Sequence, residues 1–145
     1  VAHTAAGQLA EAAKAYETAQ RLRPERLEAA QNLGRSYLDQ GRLDDAAACF
    51  EQAAQLAPGE AAVYNELGEA YRRLGQFEKA EQALRKALAL KPDYAAPYYN
   101  LALAYSEQGR HEEARSAFER YLQAAPGAAD AAQVREWMKE LERTP

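Results

Sequence analysis

The chain has one cysteine, Cys49, so it holds no internal disulfide framework. Its two histidines, His3 and His111, are far apart in sequence, and with Cys49 they make no zinc-ligand spacing. No apolar run approaches the roughly 18 residues needed to cross a bilayer. The amino terminus has no basic segment leading into an apolar core, so no signal peptide is read there. It also lacks an initiator Met, which suggests a processed product or a segment of a longer chain. Basic residues are not in excess: net charge is −4 and the pI about 5.3. That disfavours a nucleic-acid backbone or an anionic membrane as partner. Large aromatics are sparse, with three Phe and one Trp, but there are nine Tyr.

What is abundant is alanine, 35 of 145 residues. Alanine at this density favours helix and an interior of small knobs. The length suits one domain or one array of small units, and buries a core without metal or disulfide. Charged residues, 28% with both signs mixed, argue against disorder.

The sequence repeats itself every 34 residues. Pro24, Pro58, Pro92 and Pro126 keep the interval, as do Gly7, Gly41, Gly75 and Gly109. Ala12, Ala46, Ala80 and Ala114 keep it too, with Leu33, Leu67 and Leu101, and Tyr37, Tyr71 and Tyr105. Gly34 and Gly68 are followed by Ala102, while Tyr16, Phe50, Leu84 and Phe118 hold one large apolar slot. Leu9, Leu43 and Phe77 hold another, which His111 completes. Sixteen residues separate each proline from the next glycine, and sixteen more reach the next proline. Each gap fits one helix, with glycine suited to a left-handed cap and proline ending the second helix. Tyr64, Leu67, Gly68 and Tyr71 share one face of the first helix, and Ala80, Leu84 and Ala87 one face of the second. One such hairpin cannot cover both faces, so neighbours stack into a solenoid. Helices are expected near 1–5, 9–22, 26–39, 43–56, 60–73, 77–90, 94–107, 111–124 and 129–142.

These columns resemble the tetratricopeptide repeat (TPR) family. Its signature is matched most fully over 61–94 by Tyr64, Leu67, Gly68, Tyr71, Gly75, Phe77, Ala80, Leu84, Ala87 and Pro92. Residues 27–60 match with Ala30 for the first aromatic; 95–128 match with Ala102 for the glycine and Tyr121 for the last alanine. Residues 1–26 form a partial repeat, and 129–145 a capping helix. The alanine- and arginine-rich composition is bacterial in style.

The last helix has an apolar stripe of Ala131, Val134, Met138 and Leu141, opposite Glu136, Lys139, Glu140, Glu142 and Arg143. This is the cap an open array end needs. Trp137, beside the stripe, either plugs the last hairpin or lines a ligand groove. No such cap precedes the first repeat. Either a longer array begins upstream, the favoured reading, or the face around Ala13 and Ala15 is exposed for docking on another copy or domain.

No catalytic constellation is present. Ser36, Ser106 and Ser116 fall mid-helix, and no glycine cluster could cradle a phosphate. His111 replaces an apolar residue, Cys49 reads as a small hydrophobe beside Phe50, and the pairs Asp44–Asp45 and Glu112–Glu113 open second helices, where the dipole favours negative charge. No enzyme activity and no cofactor are expected. Function therefore lies in a surface, and first helices line the concave side of such a stack. Side chains left over from packing are Gln31, Arg35 and Leu38, then Asn65, Glu69 and Arg72, then Tyr99, Leu103 and Ser106. Gln133 or Trp137 would continue the groove. None of these belongs to a packing column, so Tyr99 and Arg72 are expected to be replaceable without unfolding. The resemblance implies that Asn32 and Asn100 bond an extended peptide backbone. One TPR subclass grips chaperone carboxyl-terminal carboxylates through Lys, Asn and Arg. The matching places here hold Gln31, Arg35, Glu66, Ala96 and Asn100, without paired lysines.

The expected function is a protein-interaction module that binds a peptide or helix of another protein in the concave groove. The alternatives are a self-assembling scaffold, associating through the uncapped amino-terminal end, and a regulatory or docking domain of a larger enzyme. No nucleic-acid partner and no membrane insertion are expected. A cytoplasmic setting is favoured, with the periplasm as alternative if an upstream signal was removed.

Overall fold

The protein was analysed as a computed structural model, which describes residues 10, 11, 13, 14 and 27–143. Among them are seven complete helices and no strand: α1 Leu27–Asp39, α2 Leu43–Leu56, α3 Ala61–Arg73, α4 Phe77–Leu90, α5 Ala95–Glu107, α6 His111–Ala124 and α7 Ala131–Arg143. This is the expected all-α solenoid of antiparallel hairpins, α1–α2, α3–α4 and α5–α6, with α7 packed on α6. Helical residues also stand at 10, 11, 13 and 14; the rest of the helices expected at 1–5 and 9–22 lies outside the described residues.

The three hairpin turns share one geometry. Gly41, Gly75 and Gly109 have φ of 75°, 79° and 76°, a region closed to most side chains. In the first, Gly41 N–H bonds Leu38 O (3.0 Å) and Arg42 N–H bonds Tyr37 O (2.9 Å), a Schellman pattern that the other two turns repeat. Second helices end two residues before a proline. Ala57, Lys91 and Ala125 take φ near −140° with ψ of 75°, 88° and 67°, outside the helical region that a following proline disfavours. Asp44, Asp45, Glu112 and Glu113 lie in first turns, where their charge opposes the helix dipole.

Packing follows the repeat columns. Phe50, Leu84 and Phe118 are buried within their own hairpins. A Cβ added to Gly34 would lie 2.5 Å from Phe50, and one added to Gly68 2.5 Å from Leu84. The glycines thus permit close helix approach. Tyr37, Tyr71 and Tyr105 are buried. Tyr105 accepts from Arg85 of the preceding second helix (3.2 Å), and at the matching place burial, then the charge of Glu51, raises the Tyr71 hydroxyl. Arg42 and Arg110 lie 4.5 Å from the ring centres of Tyr37 and Tyr105.

At the carboxyl-terminal end Val134 is fully buried, Ala131 nearly so, and Met138 and Leu141 pack beside them. Trp137 is half-buried with its ring 5.9 Å from Phe118, so it plugs the last hairpin. At the other end Ala13, expected on an exposed face, is instead buried (5%) in the core with Leu33 and Tyr37. An alanine there has room to sit under α1, and a charged substitution would disturb the core before any assembly. Ala15 lies outside the described residues. Among the described residues no helix is long and apolar enough to cross a membrane, and no side-chain cluster could hold a metal ion.

Candidate functional site: the concave face

First helices α1, α3 and α5 approach one another directly, whereas second helices do not. The array therefore curves with its first helices inside, and their free faces form one continuous surface. Along it runs a ladder of polar bonds between adjacent first helices. Gln31 Nε2 donates to Glu66 Oε1 (2.7 Å), and Arg35 Nε to Glu66 Oε2 (2.7 Å). Asn100 Nδ2 donates to Asn65 Oδ1 (2.9 Å), and Arg72 Nη1 to Glu107 Oε1 (2.7 Å). Three of these four pairs join residues 35 apart, one more than the repeat. A residue of one column thus meets the next column of the following unit.

This changes the reading of several expected groove residues. Asn65 and Asn100 are buried, at 9% and 7% exposure, and bond each other. The Asn65 amide is thereby committed to holding hairpins together. Leu38 is buried in the core and offers nothing to a partner, because it turns toward Tyr37 and Ala47 rather than outward. Asn32 is exposed on α1. Glu69 pairs loosely with Arg73 at 3.7 Å. Arg72 and Tyr99 are structural as well as available. Arg72 has a side-chain exposure of only 15%, and Tyr99 stacks against Tyr121 (5.3 Å), Phe118 (6.2 Å) and Trp137 (6.3 Å). Replacing either by Ala is therefore expected to lower stability.

A hollow of about 440 Å³ opens on this face between α3, α5 and the start of α7. It brings together six expected residues, Asn65, Glu69, Arg72, Tyr99, Asn100 and Leu103. Gln31, Asn32, Arg35 and Leu38 lie away from it, and Ser106 lines a neighbouring hollow with Trp137 and His111. Sequence reasoning did not place Tyr121 and Asp130 in the lining, and it named Ala96 only as a place matching the carboxylate-gripping subclass. The available signal was that Tyr121 breaks a column of alanines, Ala53 and Ala87.

Tyr121 donates to Asp130 Oδ1 at 2.7 Å. Burial, then that bond and the Asp130 charge, push its hydroxyl up to about 12. Burial raises Tyr99 as well, with the Asp130 charge adding to it. Both phenols are neutral near neutral pH. Arg72 contributes one more feature: its Nε–H is buried with no hydrogen-bond acceptor, although Nη1 is paired. A buried unpaired donor is costly unless something accepts from it.

Comparison with solved structures bears on the fold. The crystal structure of MamA protein shares 30% identity, with TM-score 0.79, over 95% of this chain and 75% of that one. The first TPR domain of Spaghetti (RPAP3), bound to the HSP90 peptide SRMEEVD, shares 25% identity at TM-score 0.73, over 81% of this chain and 90% of that one. The TPR2B domain of yeast Sti1, in a complex with an Hsp70 peptide, superposes at TM-score 0.77 with 17% identity, over 82% of this chain and 98% of that one. No curated sequence relative matches. A family model, described as the cilia and flagella-associated protein 70 C-terminal domain, matches residues 1–140, nearly the whole length. On that match and on the hairpin array itself, the chain belongs to this tetratricopeptide-repeat family.

Proposed function

We propose that the chain is a non-enzymatic interaction module that holds a peptide or short helix of a partner protein against its concave face. The repeating units are 27–60, 61–94 and 95–128, preceded by a partial unit at 1–26 and closed by a cap at 129–145. The composition supports a bacterial source. The observation that carries the reading is the concave hollow, which gathers Glu69, Arg72, Tyr99 and Leu103 at one place on the first helices. Tyr99 and Leu103 offer a partner apolar area there, flanked by polar groups. Similar TPR domains with bound peptides support the reading; the RPAP3 domain holds one rich in acidic residues.

An acidic carboxyl-terminal tail fits this face less well. Arg35 is already paired with Glu66 and Arg72 with Glu107, so neither cation is free for a carboxylate. The test is capture of partners from a lysate by the full chain, compared with Glu69→Lys and Leu103→Ala. Both positions line the hollow and neither residue is fully buried. Partners retained by the parent and lost by both variants, with melting curves preserved, support the proposal. Identical capture by all three refutes it.

A further inference from the structure

We infer that the concave hollow selects a basic side chain, lysine or arginine, of the partner peptide, held between Asp130 and the rings of Tyr99 and Tyr121. The inference rests on the peptide-binding reading and names the residue type that reading requires.

The residues that break the repeat converge on this spot. Tyr99 stands where the other units have Gln31 and Asn65. Leu103 stands where they have Arg35 and Glu69, and Tyr121 where they have Ala53 and Ala87. Those alanines are fully buried, and a tyrosine in their place needs room. Room comes from the next helix, where Ala131 replaces the bulkier, fully buried Val63 and Pro97. The volume exchange leaves the Tyr121 ring 5.3 Å from Tyr99 and its hydroxyl on Asp130. A purely structural array has no need of these substitutions, since Ala53 and Ala87 close their own layers without them.

The chemistry is that of a cation site. Asp130 Oδ1 accepts from Tyr121, and Oδ2 has no protein partner among the described residues. Among the described residues no lysine or arginine pairs with that carboxylate. Glu69 adds a second negative group, only loosely answered by Arg73 at 3.7 Å, where both side chains are more than a third exposed. The positive charge in the lining, Arg72, is neutralised by Glu107 at 2.7 Å. The hollow therefore keeps a net negative potential beside two aromatic rings. An ammonium or guanidinium near such a ring centre is attracted to its face, and its stem packs on Leu103. The same arrangement repels an acidic anchor.

The test selects random dodecapeptides displayed on phage against the full chain, then measures synthetic copies by fluorescence anisotropy. Selected peptides are expected to share a lysine or arginine. Replacing it by glutamine should weaken binding about tenfold or more, as should Asp130→Asn in the protein. Asp130→Asn should add little once the peptide's basic residue is gone. Glu69→Gln, which leaves the Tyr121–Asp130 bond intact, serves as second variant and should reduce affinity in the same direction. Peptides that lose affinity with Leu103→Ala but lack a basic residue, or ignore both acid substitutions, overturn the inference and leave concave-face binding standing. Peptides indifferent to Leu103→Ala and to both acid substitutions overturn the concave reading itself and the inference with it.

Discussion

Asn100→Ala measures whether the buried asparagine pair joins hairpins or waits for a peptide. The mutation removes the 2.9 Å bond from Asn100 Nδ2 to Asn65 Oδ1. A hydrogen bond of this kind contributes a net of about 1 kcal/mol. Removal also strands Asn65 Oδ1 in a site where the residue is only 9% exposed, a further penalty of about 1–3 kcal/mol. The single variant should therefore lose about 2–4 kcal/mol by that arithmetic. Asn65→Ala should lose a similar amount, because Asn100 is then stranded at 7% exposure. The double variant leaves no orphan, so its loss should fall short of the sum by about 0.5–3 kcal/mol, the range for residues in one network. Urea unfolding of the four proteins, followed by far-ultraviolet circular dichroism, gives the cycle. Additive losses would refute the bridge and return both amides to the list of groups free for a ligand.

Other consequences follow from the packing and the charges. Gly68→Ala places a methyl 2.5 Å from the fully buried Leu84 and should cost about 1–3 kcal/mol by overpacking; Gly68→Leu should cost more, and Gly68→Ala should be better tolerated once Leu84→Ala has made room. The urea midpoints of the single and double variants check this. Deleting the chain after Gly127 removes Val134 and Trp137 from Phe118, so the fragment should melt lower or aggregate in a thermal scan with light scattering. Tyr71 and Tyr121 titrate near 12 in the folded chain against an ordinary value of 10. The unfolded state thus loses these protons first, and their contribution, complete below pH 10, should fade between pH 10 and 12. Tyr71→Phe and Tyr121→Phe should each flatten that fall in urea midpoints measured across the range.

Most of the fold was legible because the repeat carries its own punctuation. Gly41, Gly75 and Gly109 adopt the left-handed conformation that only glycine takes easily, and Pro58, Pro92 and Pro126 keep the residue before them out of the helical region. Helix boundaries consequently agree with expectation within two residues for all seven helices. The concave face was less legible. A column-by-column reading treats Asn65 and Asn100 as unemployed, yet they meet because neighbouring first helices are offset by one residue from the repeat. Gln31 with Glu66, and Arg72 with Glu107, escaped notice for the same reason. Asp130 lies in the connection before the cap, outside any column, and only the folded chain brings it to Tyr121.

The central claim is that a partner lies on the concave face at the third hairpin. Amide chemical-shift mapping of the labelled full chain with a selected peptide tests it most directly. The account predicts perturbations concentrated at Glu69, Arg72, Tyr99, Leu103 and Asp130, with α2, α4 and the outer face of α6 quiet. Perturbations concentrated on the convex second helices, around Arg85, Leu88 and Arg120, with the concave residues unmoved, would contradict it.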